Sequence, residues 1–182
     1  MSHVVIVSGP SGAGKSAACE ALCQRYDRTV HLRTDLFFFE AIRMGFVKPW
    51  DPQSDRQNRM VARAVARAAT AYAEDLFAVF VDGVIGPHLL PIYVDELQRA
   101  RVPVHFVVLL PEVAATLQRV RTRAGQDRMP EDAHRDLHQQ FVRYGPFAGC
   151  TVDNTGLTAE QTADRIMDLC GSGQCLVWTP DV

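Results

Sequence analysis

The chain has 182 residues, 47% of them hydrophobic and 22% charged, which is enough material to bury the core of one globular domain. Its formal net charge of −2 and pI near 6.3 exclude the strongly basic surface with which proteins bind nucleic acid or anionic membranes. No apolar run reaches the length of a membrane span, and the first three residues lead into a strand rather than a signal peptide, so we expect a cytoplasmic protein.

Short apolar runs alternate with helical patterns through the first half of the chain. The run at 4–7 is continuous and stops at Ser8 and Gly9, as expected for a strand buried on both faces. In order, the sequence predicts a strand over 4–7, a helix over about 15–26, a strand over 29–33, a helix over 35–44 ended by Gly45, a loop over 46–54 and an Ala-rich helix over about 55–76.

The same alternation continues in the second half. The predictions there are a strand over 78–83, a short helix opened by Pro87 and Pro91 and running to about Arg99, a strand over 104–110, a helix from Pro111 to near Gly125, a helix over 131–143, a weaker strand over 149–153 and a helix from Thr158 to about Leu169. This order predicts one α/β domain over residues 1–182, with a five-stranded parallel sheet between two layers of helices.

Residues 9–16 match the phosphate-loop motif G-x-x-x-x-G-K-[ST] at every defined position. Glycines permit positive φ angles, which let backbone N–H groups converge on phosphate oxygens at the start of a helix. The ammonium of Lys15 suits the β- and γ-phosphates, and the hydroxyl of Ser16 suits Mg²⁺. The predicted nucleotide-binding residues of this segment are Gly9, Pro10, Ser11, Gly12, Ala13, Gly14, Lys15, Ser16 and Ala17.

Two large classes of phosphate-loop protein fit the sequence poorly. GTPases recognise guanine through an N-K-x-D segment, which the sequence lacks. Nucleoside monophosphate kinases usually continue the motif as G-K-G-T and carry Arg after the Asp-Gly of the third strand. Here Ser16 follows Lys15, and Val84 follows Gly83.

The chain instead resembles the small phosphotransferases typified by chloramphenicol phosphotransferase, with gluconate and shikimate kinases and zeta-type toxins as wider relatives. The resemblance is carried by residues 9–16, 32–35, 79–83, 119–128 and 152–158. Residues 49–60 also resemble a subgroup of predicted small P-loop kinases. The resemblance implies a three-layer P-loop NTPase fold of the nucleotide-kinase type, an acceptor site built from about 36–60 and a lid over about 119–130.

Asp35 is the leading candidate for a catalytic base. It follows the strand at 29–33, at the sheet edge where open α/β folds bind ligands. A carboxylate there can accept the proton of an attacking hydroxyl, and the resemblance to chloramphenicol phosphotransferase implies the same role. Its position directly before Leu36 also fits a helix N-cap, and the two roles are compatible.

Asp82 ends a hydrophobic strand, which is the usual place for an acidic residue that holds Mg²⁺ directly or through water. We therefore expect Ser16 and Asp82 to form the metal site. The related antibiotic kinase has a second acidic residue directly after this position, where the present chain has Gly83. The resemblance accordingly supports the reaction more strongly than the substrate.

Arginines supply the remaining catalytic candidates. Arg119 and Arg123 are one helical turn apart and share a face. In relatives such arginines close over the phosphates, so the resemblance adds both residues to Lys15 as catalytic and nucleotide-binding candidates; a solvated basic face is the alternative. By resemblance alone, Asn154 and Thr155 contact the base of the nucleotide.

The acceptor site is predicted from the same region of the chain. Trp50 lies in an irregular loop and is suited to stack on a planar or sugar-like acceptor. The aromatic run at 37–39 is expected to pack in the core, with one ring lining the pocket. The full set of substrate-binding candidates is Arg33, Asp35, Phe38, Trp50, Gln57, Asp82, Gly83 and Arg128.

Cysteine and histidine patterns carry less weight. Five cysteines without framework spacing agree with a reducing compartment. A disulfide between Cys170 and Cys175 stays open, although two free thiols are favoured. His134 and His138 have i,i+4 spacing but no third metal ligand, so a solvated helix is expected.

Together the residues predict a phosphotransferase that uses ATP or GTP with Mg²⁺ to phosphorylate a hydroxyl of a small molecule. The resemblance implies an antibiotic or other secondary metabolite as one acceptor class. A nucleoside, nucleotide (cytidylate-like) or sugar kinase is an open alternative, as is a nucleotide-binding switch protein, although Asp35 favours an enzyme. The acceptor and the oligomeric state, monomer or homodimer, are not determined by the sequence.

Overall fold

The computed structural model describes residues 2–122, 129–143 and 145–180. Within these ranges the strands are β1 (Val4–Ser8), β2 (Thr29–Arg33), β3 (Ala78–Asp82), β4 (Val104–Leu109), β5 (Thr151–Val152) and β6 (Leu176–Trp178). The α-helices are α1 (Lys15–Cys23), α2 (Asp55–Glu74), α3 (Leu90–Leu97), α4 (Val113–Thr122), α5 (Glu131–Val142) and α6 (Ala159–Gly171). Shorter helical turns lie at Leu36–Glu40, Pro52–Ser54, Gln98–Ala100 and Gly145–Cys150.

The sheet has the strand order β2-β3-β1-β4-β5, and these five strands are parallel. Every residue of β1, β3 and β4 is buried, which explains why these strands consist of apolar runs rather than alternating patterns. The central strand β1 ends between β3 and β4, at the carboxyl edge where such sheets bind ligands. The predicted five-stranded parallel sheet is therefore confirmed.

Helices cover both faces of this sheet. Residues of α2 and α3, including Val65 and Leu97, pack on one face, and residues of α1 and α6, including Leu22 and Ile166, pack on the other. This arrangement confirms the predicted three layers. None of the helices in the described part of the chain combines the length and apolarity needed to cross a bilayer.

Strand β6 was not predicted. It pairs antiparallel with β4 and follows the turn around Gly173. Its three residues, Leu176–Trp178, are too few to show the periodicity from which a strand is recognised. The preceding strand β5 is also shorter than predicted, because Gly145–Cys150 forms a 3₁₀ segment.

The predicted helix over 35–44 is wrong in extent. Residues Leu36–Glu40 form a single π-turn, in which Ala41 N–H donates to the carbonyl of Leu36 at 3.0 Å. Beyond this turn Ala41 and Arg43 are exposed and Met44 is 89% exposed, so a longer helix would bury little apolar surface.

Candidate active site

The phosphate loop joins β1 to α1 and depends on its glycines. The φ angles are +140° at Gly9, +77° at Gly12 and +90° at Gly14, values that residues with a side chain rarely adopt. The buried hydroxyl of Ser8 donates to the carbonyl of Ile85 at 2.8 Å and accepts from its N–H at 3.0 Å, which fixes the start of the loop. The first amides of α1 have no intrahelical acceptor and are suited to bind an anion.

Two predicted catalytic cations border this loop. Lys15 Nζ donates to the carbonyls of Gly9 at 3.0 Å and Pro10 at 2.9 Å. Arg119 Nη1, from α4, donates to the carbonyl of Gly12 at 3.1 Å. Helix α4 approaches closely, because a Cβ atom at Gly12 would lie 2.5 Å from the carbonyl oxygen of Thr116. The structure thus brings Lys15 and Arg119 to the same turn.

The two residues predicted to contact the nucleotide base also brace this region. Asn154 is buried, and its Nδ2 donates to the carbonyl of Ala13 at 2.9 Å. Thr155 Oγ1 accepts from the N–H of Glu112 at 2.9 Å, just before α4 begins. These contacts link the loop after β5 to the phosphate loop and to α4. Contact of either side chain with a nucleotide stays a prediction.

Asp82 lies at the end of β3 and is 3% exposed. Its Oδ2 is 2.7 Å from His31 Nε2, and its carboxylate accepts a hydrogen bond from Ser16. Burial raises the pKa of Asp82, but the hydrogen bonds from His31 and Ser16 and the charge of Lys15 outweigh burial, so the net pKa is lowered. A carboxylate beside a hydroxyl is a donor pair that suits Mg²⁺. Asp82 is not among the residues that line the cavity described next, so it fits the predicted metal role rather than the substrate role.

His31 is a site residue that sequence analysis missed. It lies in β2, two residues before Arg33, which pairs with Asp82 across the parallel strands. The signal that could have identified it is the pairing of β2 with β3, since side chains two apart in a strand share a face. That pairing is not visible in the linear sequence, because 51 residues separate His31 from Asp82.

Asp35 lies beyond the end of β2 and lines a cavity of about 570 Å³. Its backbone is right-handed helical, with φ −57° and ψ −35°, and its side chain caps no helix end. The N-cap alternative is therefore not observed. Ser11 of the phosphate loop lines the same cavity. The cavity consequently connects the phosphate loop with the carboxylate that is suited to act as a base.

The wall of this cavity is largely apolar. The apolar side chains come from the π-turn, the loop before α2, the segment after β3, and helices α2 to α5. They include Phe38, Trp50, Val61, Leu89, Tyr93 and Leu137. Polar groups are few, and they include Asp35, Asn58, His88 and Asp136. Asn58 Oδ1 is buried and has no hydrogen-bond partner among the described residues. Neither Lys nor Arg belongs to the described lining.

Three further substrate candidates lie outside the cavity. Arg33 is exposed and is not among the lining residues. Gln57 exchanges two hydrogen bonds with the backbone of Val47, at 2.6 and 2.8 Å, and so holds the preceding loop instead. Gly83 packs against Thr34, because a Cβ atom at Gly83 would lie 2.4 Å from Thr34 Oγ1. Gln57 and Gly83 therefore have structural roles, Gln57 through its hydrogen bonds and Gly83 through close packing.

The loop that carries Trp50 is held by α2. Ser54 Oγ and Asn58 Nδ2 each donate to the carbonyl of Pro49 at 2.8 Å, and Asn58 Nδ2 also contacts Ser54 Oγ at 2.9 Å. Together with Gln57, these bonds position Trp50 against the cavity. Asn58, rather than Gln57, is the residue of this segment that reaches the wall.

The predicted lid is described in part. Arg123 and Arg128 lie outside the described residues. The expectation of a solvated helix for His134 is wrong, since His134 is 1% exposed and its Nε2 lies 3.0 Å from Thr116 Oγ1. His138 Nε2 donates to the carbonyl of Pro111 at 2.8 Å. These two histidines tie α5 to α4, and α5 supplies Asp136 to the cavity.

Comparisons with known proteins agree with this fold. Residues 4–144 match the model of a family described as the AAA domain. Among solved structures, the chain is similar to the tunicamycin resistance protein of Deinococcus radiodurans, with a TM-score of 0.70, 21% identity and coverage of 100% of both chains. It is also similar to a sugar kinase from Janibacter sp. HTCC2649, with a TM-score of 0.70, 18% identity and coverage of 94% of this chain and 95% of that one.

A third similar structure is the shikimate kinase of Acinetobacter baumannii, with a TM-score of 0.61, 21% identity and coverage of 95% of this chain and 94% of that one. No curated protein sequence gives a significant match. At these identities the solved structures establish a P-loop kinase-like fold.

Proposed function

Because the chain belongs to the AAA domain family, whose model spans residues 4–144, we propose that it transfers the γ-phosphate of ATP to a hydroxyl of a small molecule. One observation carries the proposal: Ser11 of the phosphate loop and Asp35 line the same cavity. A transferring phosphoryl group and an attacking hydroxyl need these two features side by side. GTP is the alternative donor.

The proposed reaction assigns a role to each group at the loop. Asp35 accepts the proton of the acceptor hydroxyl while the hydroxyl oxygen bonds to the γ-phosphorus, and the nucleoside diphosphate leaves. Lys15 and Arg119 neutralise charge on the phosphates in this proposal, and their contacts with the loop backbone support it. Ser16 and Asp82 would hold Mg²⁺, which would supply positive charge that offsets the charge of the phosphates.

The cavity favours a neutral or cationic acceptor with an apolar body. Its described wall combines aromatic and aliphatic side chains with the carboxylates of Asp35 and Asp136, and it offers no Lys or Arg to an anion. Carboxylates repel an acceptor that bears a phosphate or a carboxylate, whereas they attract an amine. An antibiotic or other secondary metabolite with one reactive hydroxyl fits this description, and a resistance protein is among the similar structures.

The nucleotide kinase and sugar kinase alternatives predict a different wall. A nucleoside monophosphate needs cations for its phosphate, and a sugar needs a polar partner for most of its hydroxyls. The rings of Trp50 and Tyr93 and the side chains of Val61 and Leu89 provide apolar contact instead. A sugar kinase-like structure is among those similar to the chain, so sugars belong in any test.

The test is a screen of purified protein with Mg²⁺ and either ATP or GTP. Release of nucleoside diphosphate is followed with panels of apolar alcohols, amino alcohols, chloramphenicol, tunicamycin, sugars, nucleosides, CMP and AMP, and the phosphate ester is identified by mass spectrometry. We expect transfer to a neutral or cationic alcohol and none to CMP or AMP. Growth on the same antibiotics with and without the gene tests resistance directly.

Lys15→Ala provides the matched control for that screen. It removes the ammonium that contacts Gly9 and Pro10, so transfer should fall below detection while the fold is retained. Tight nucleotide binding without transfer to any compound would support a switch protein instead. An active Lys15→Ala variant would show that the phosphate-loop assignment is wrong.

A further inference from the structure

A cluster of soft ligand atoms lies away from the phosphate loop, near the end of α6. A ring nitrogen of His105 and the Sγ atoms of Cys170 and Cys175 all lie within 4.8 Å of one another. The three residues come from different elements: His105 from β4, Cys170 from the last turn of α6, and Cys175 from the residue before β6. The fold therefore brings together three residues that the sequence spreads over about 70 positions.

Two of the three residues are buried, and one ring nitrogen of the cluster lacks a hydrogen-bond partner. Cys175 is 1% exposed and His105 is 8% exposed. Nδ1 of His105 is buried and has no hydrogen-bond partner within the described ranges. A buried polar atom without a partner is costly, so it points to a ligand.

The separation of the two sulfur atoms also fits a metal. Cys175 Sγ and Cys170 Sγ are 3.8 Å apart. Two thiolates bound to one tetrahedral ion at about 2.3 Å each are separated by about 3.8 Å, whereas the sulfurs of a disulfide are about 2.0 Å apart. The four residues between the two cysteines match the spacing that short metal-binding turns use.

We propose that His105, Cys170 and Cys175 form a binding site for Zn²⁺, with water as the fourth ligand on the partly exposed side of Cys170. Each thiol that binds releases its proton to solvent and coordinates as a thiolate. The ion would join β4, α6 and β6, and so fasten the antiparallel edge strand to the parallel sheet. This site does not depend on the proposed kinase reaction.

The test uses the full chain, reduced with a phosphine and freed of metal. Addition of Co²⁺ should give the intense near-ultraviolet absorption of thiolate-to-cobalt charge transfer, and Zn²⁺ should abolish it at one equivalent per chain. Cys170→Ser should weaken metal binding by more than about 100-fold, since loss of even an outer partner of a ligand costs about 10–100-fold. Zn²⁺ should raise the unfolding temperature of the wild type but not of this variant.

Cys23→Ser is the matched control, because Cys23 is also a half-buried free thiol at the end of a helix but lies outside the cluster. It should bind Co²⁺ as the wild type does. Should Cys170→Ser fail to fold, His105→Gln replaces it with the same expected loss. Equal binding by wild type and cluster variants, no binding by the reduced wild type, or isolation of a Cys170–Cys175 disulfide that binds no metal after reduction would each overturn the proposal.

Discussion

At the scale of single residues, the proposed reaction depends most on Asp35. We expect Asp35→Asn to lower turnover by about 10²–10⁴-fold, because an amide cannot accept the proton of the attacking hydroxyl. Nucleotide affinity should be unchanged, since Asp35 lines the cavity and its proposed role is toward the acceptor hydroxyl. Steady-state kinetics and nucleotide titration measure the two effects separately.

Glu40→Gln is the control for that substitution. Glu40 belongs to the same π-turn, is exposed and is not among the cavity-lining residues, so its loss of charge should leave turnover intact. Near-normal turnover of Asp35→Asn would assign the base to another group, and Asp136 is the other carboxylate among the described residues of the cavity wall.

His31 is expected to act through Asp82. The hydrogen bond from His31 helps to lower the pKa of Asp82, so His31→Phe should raise that pKa. With its pKa lowered, Asp82 is ionised at neutral pH, and its charge is lost as the pH falls through the folded-state pKa. The acid limb of Mg²⁺-dependent transfer should therefore move to higher pH in the variant. Activity profiles from neutrality to about pH 4 measure the shift, and an unchanged limb with unchanged Mg²⁺ affinity would rule out this role.

At the scale of secondary-structure elements, the packing of α4 against the phosphate loop can be tested by a substitution at Gly12. A Cβ atom at Gly12 would lie 2.5 Å from the Thr116 carbonyl, so Gly12→Ala should push α4 and Arg119 away from the loop. We expect weaker ATP binding together with a lower unfolding temperature.

Gly45→Ala separates this displacement from backbone strain. Gly45 has φ +73°, close to the +77° of Gly12, but nothing lies within 4 Å of the Cβ it would carry. In both variants the left-handed backbone conformation of the new alanine should lower the free energy of unfolding by about 1–2 kcal/mol. Denaturant unfolding measures this loss. Only Gly12→Ala should lose nucleotide affinity, and equal affinities in the two variants would refute the importance of the α4 contact.

The elements that the sequence predicted well are those whose burial leaves a mark on composition. Strands β1, β3 and β4 are buried throughout and appear as uninterrupted apolar runs. The π-turn and β6 were not predicted, because one turn and three residues carry no period.

The same distinction applies to the site. The phosphate loop was predictable because one continuous motif encodes it. Asp35 was predictable because it follows a predicted strand, and Trp50 because it is an aromatic residue in an irregular loop. His31 and Asp136 were not, since each reaches the site through packing between elements distant in sequence. Gln57 was assigned to substrate, yet its neighbour Asn58 lines the cavity, and helix phase decides between them.

At the scale of the whole molecule, the acceptor cavity and the phosphate loop are joined through α4 and α5. Thr116 of α4 contacts Gly12 of the loop and His134 of α5, and α5 carries Asp136 into the cavity wall. A change that loosens α5 should therefore affect stability and the site together. Lowering the pH is such a change, because it protonates the buried imidazole of His134.

We expect protonation of His134 to destabilise the fold. Burial lowers the pKa of His134, and the charges of His138, Lys15 and Arg135 lower it further. An imidazole whose folded pKa is depressed contributes fully above its unfolded pKa of about 6.5, and that contribution is lost as the pH falls through the folded value. The unfolding free energy should thus decline below neutrality, by at most about 1.4 kcal/mol per pH unit from this group. Urea unfolding of the wild type and of His134→Gln across this pH range measures the effect. His134→Gln cannot titrate in this range, so its unfolding free energy should decline less steeply with falling pH. The control is His88→Gln, a change at an exposed histidine, which should follow the wild type. Equal slopes in wild type and His134→Gln would show that this imidazole does not set the acid sensitivity.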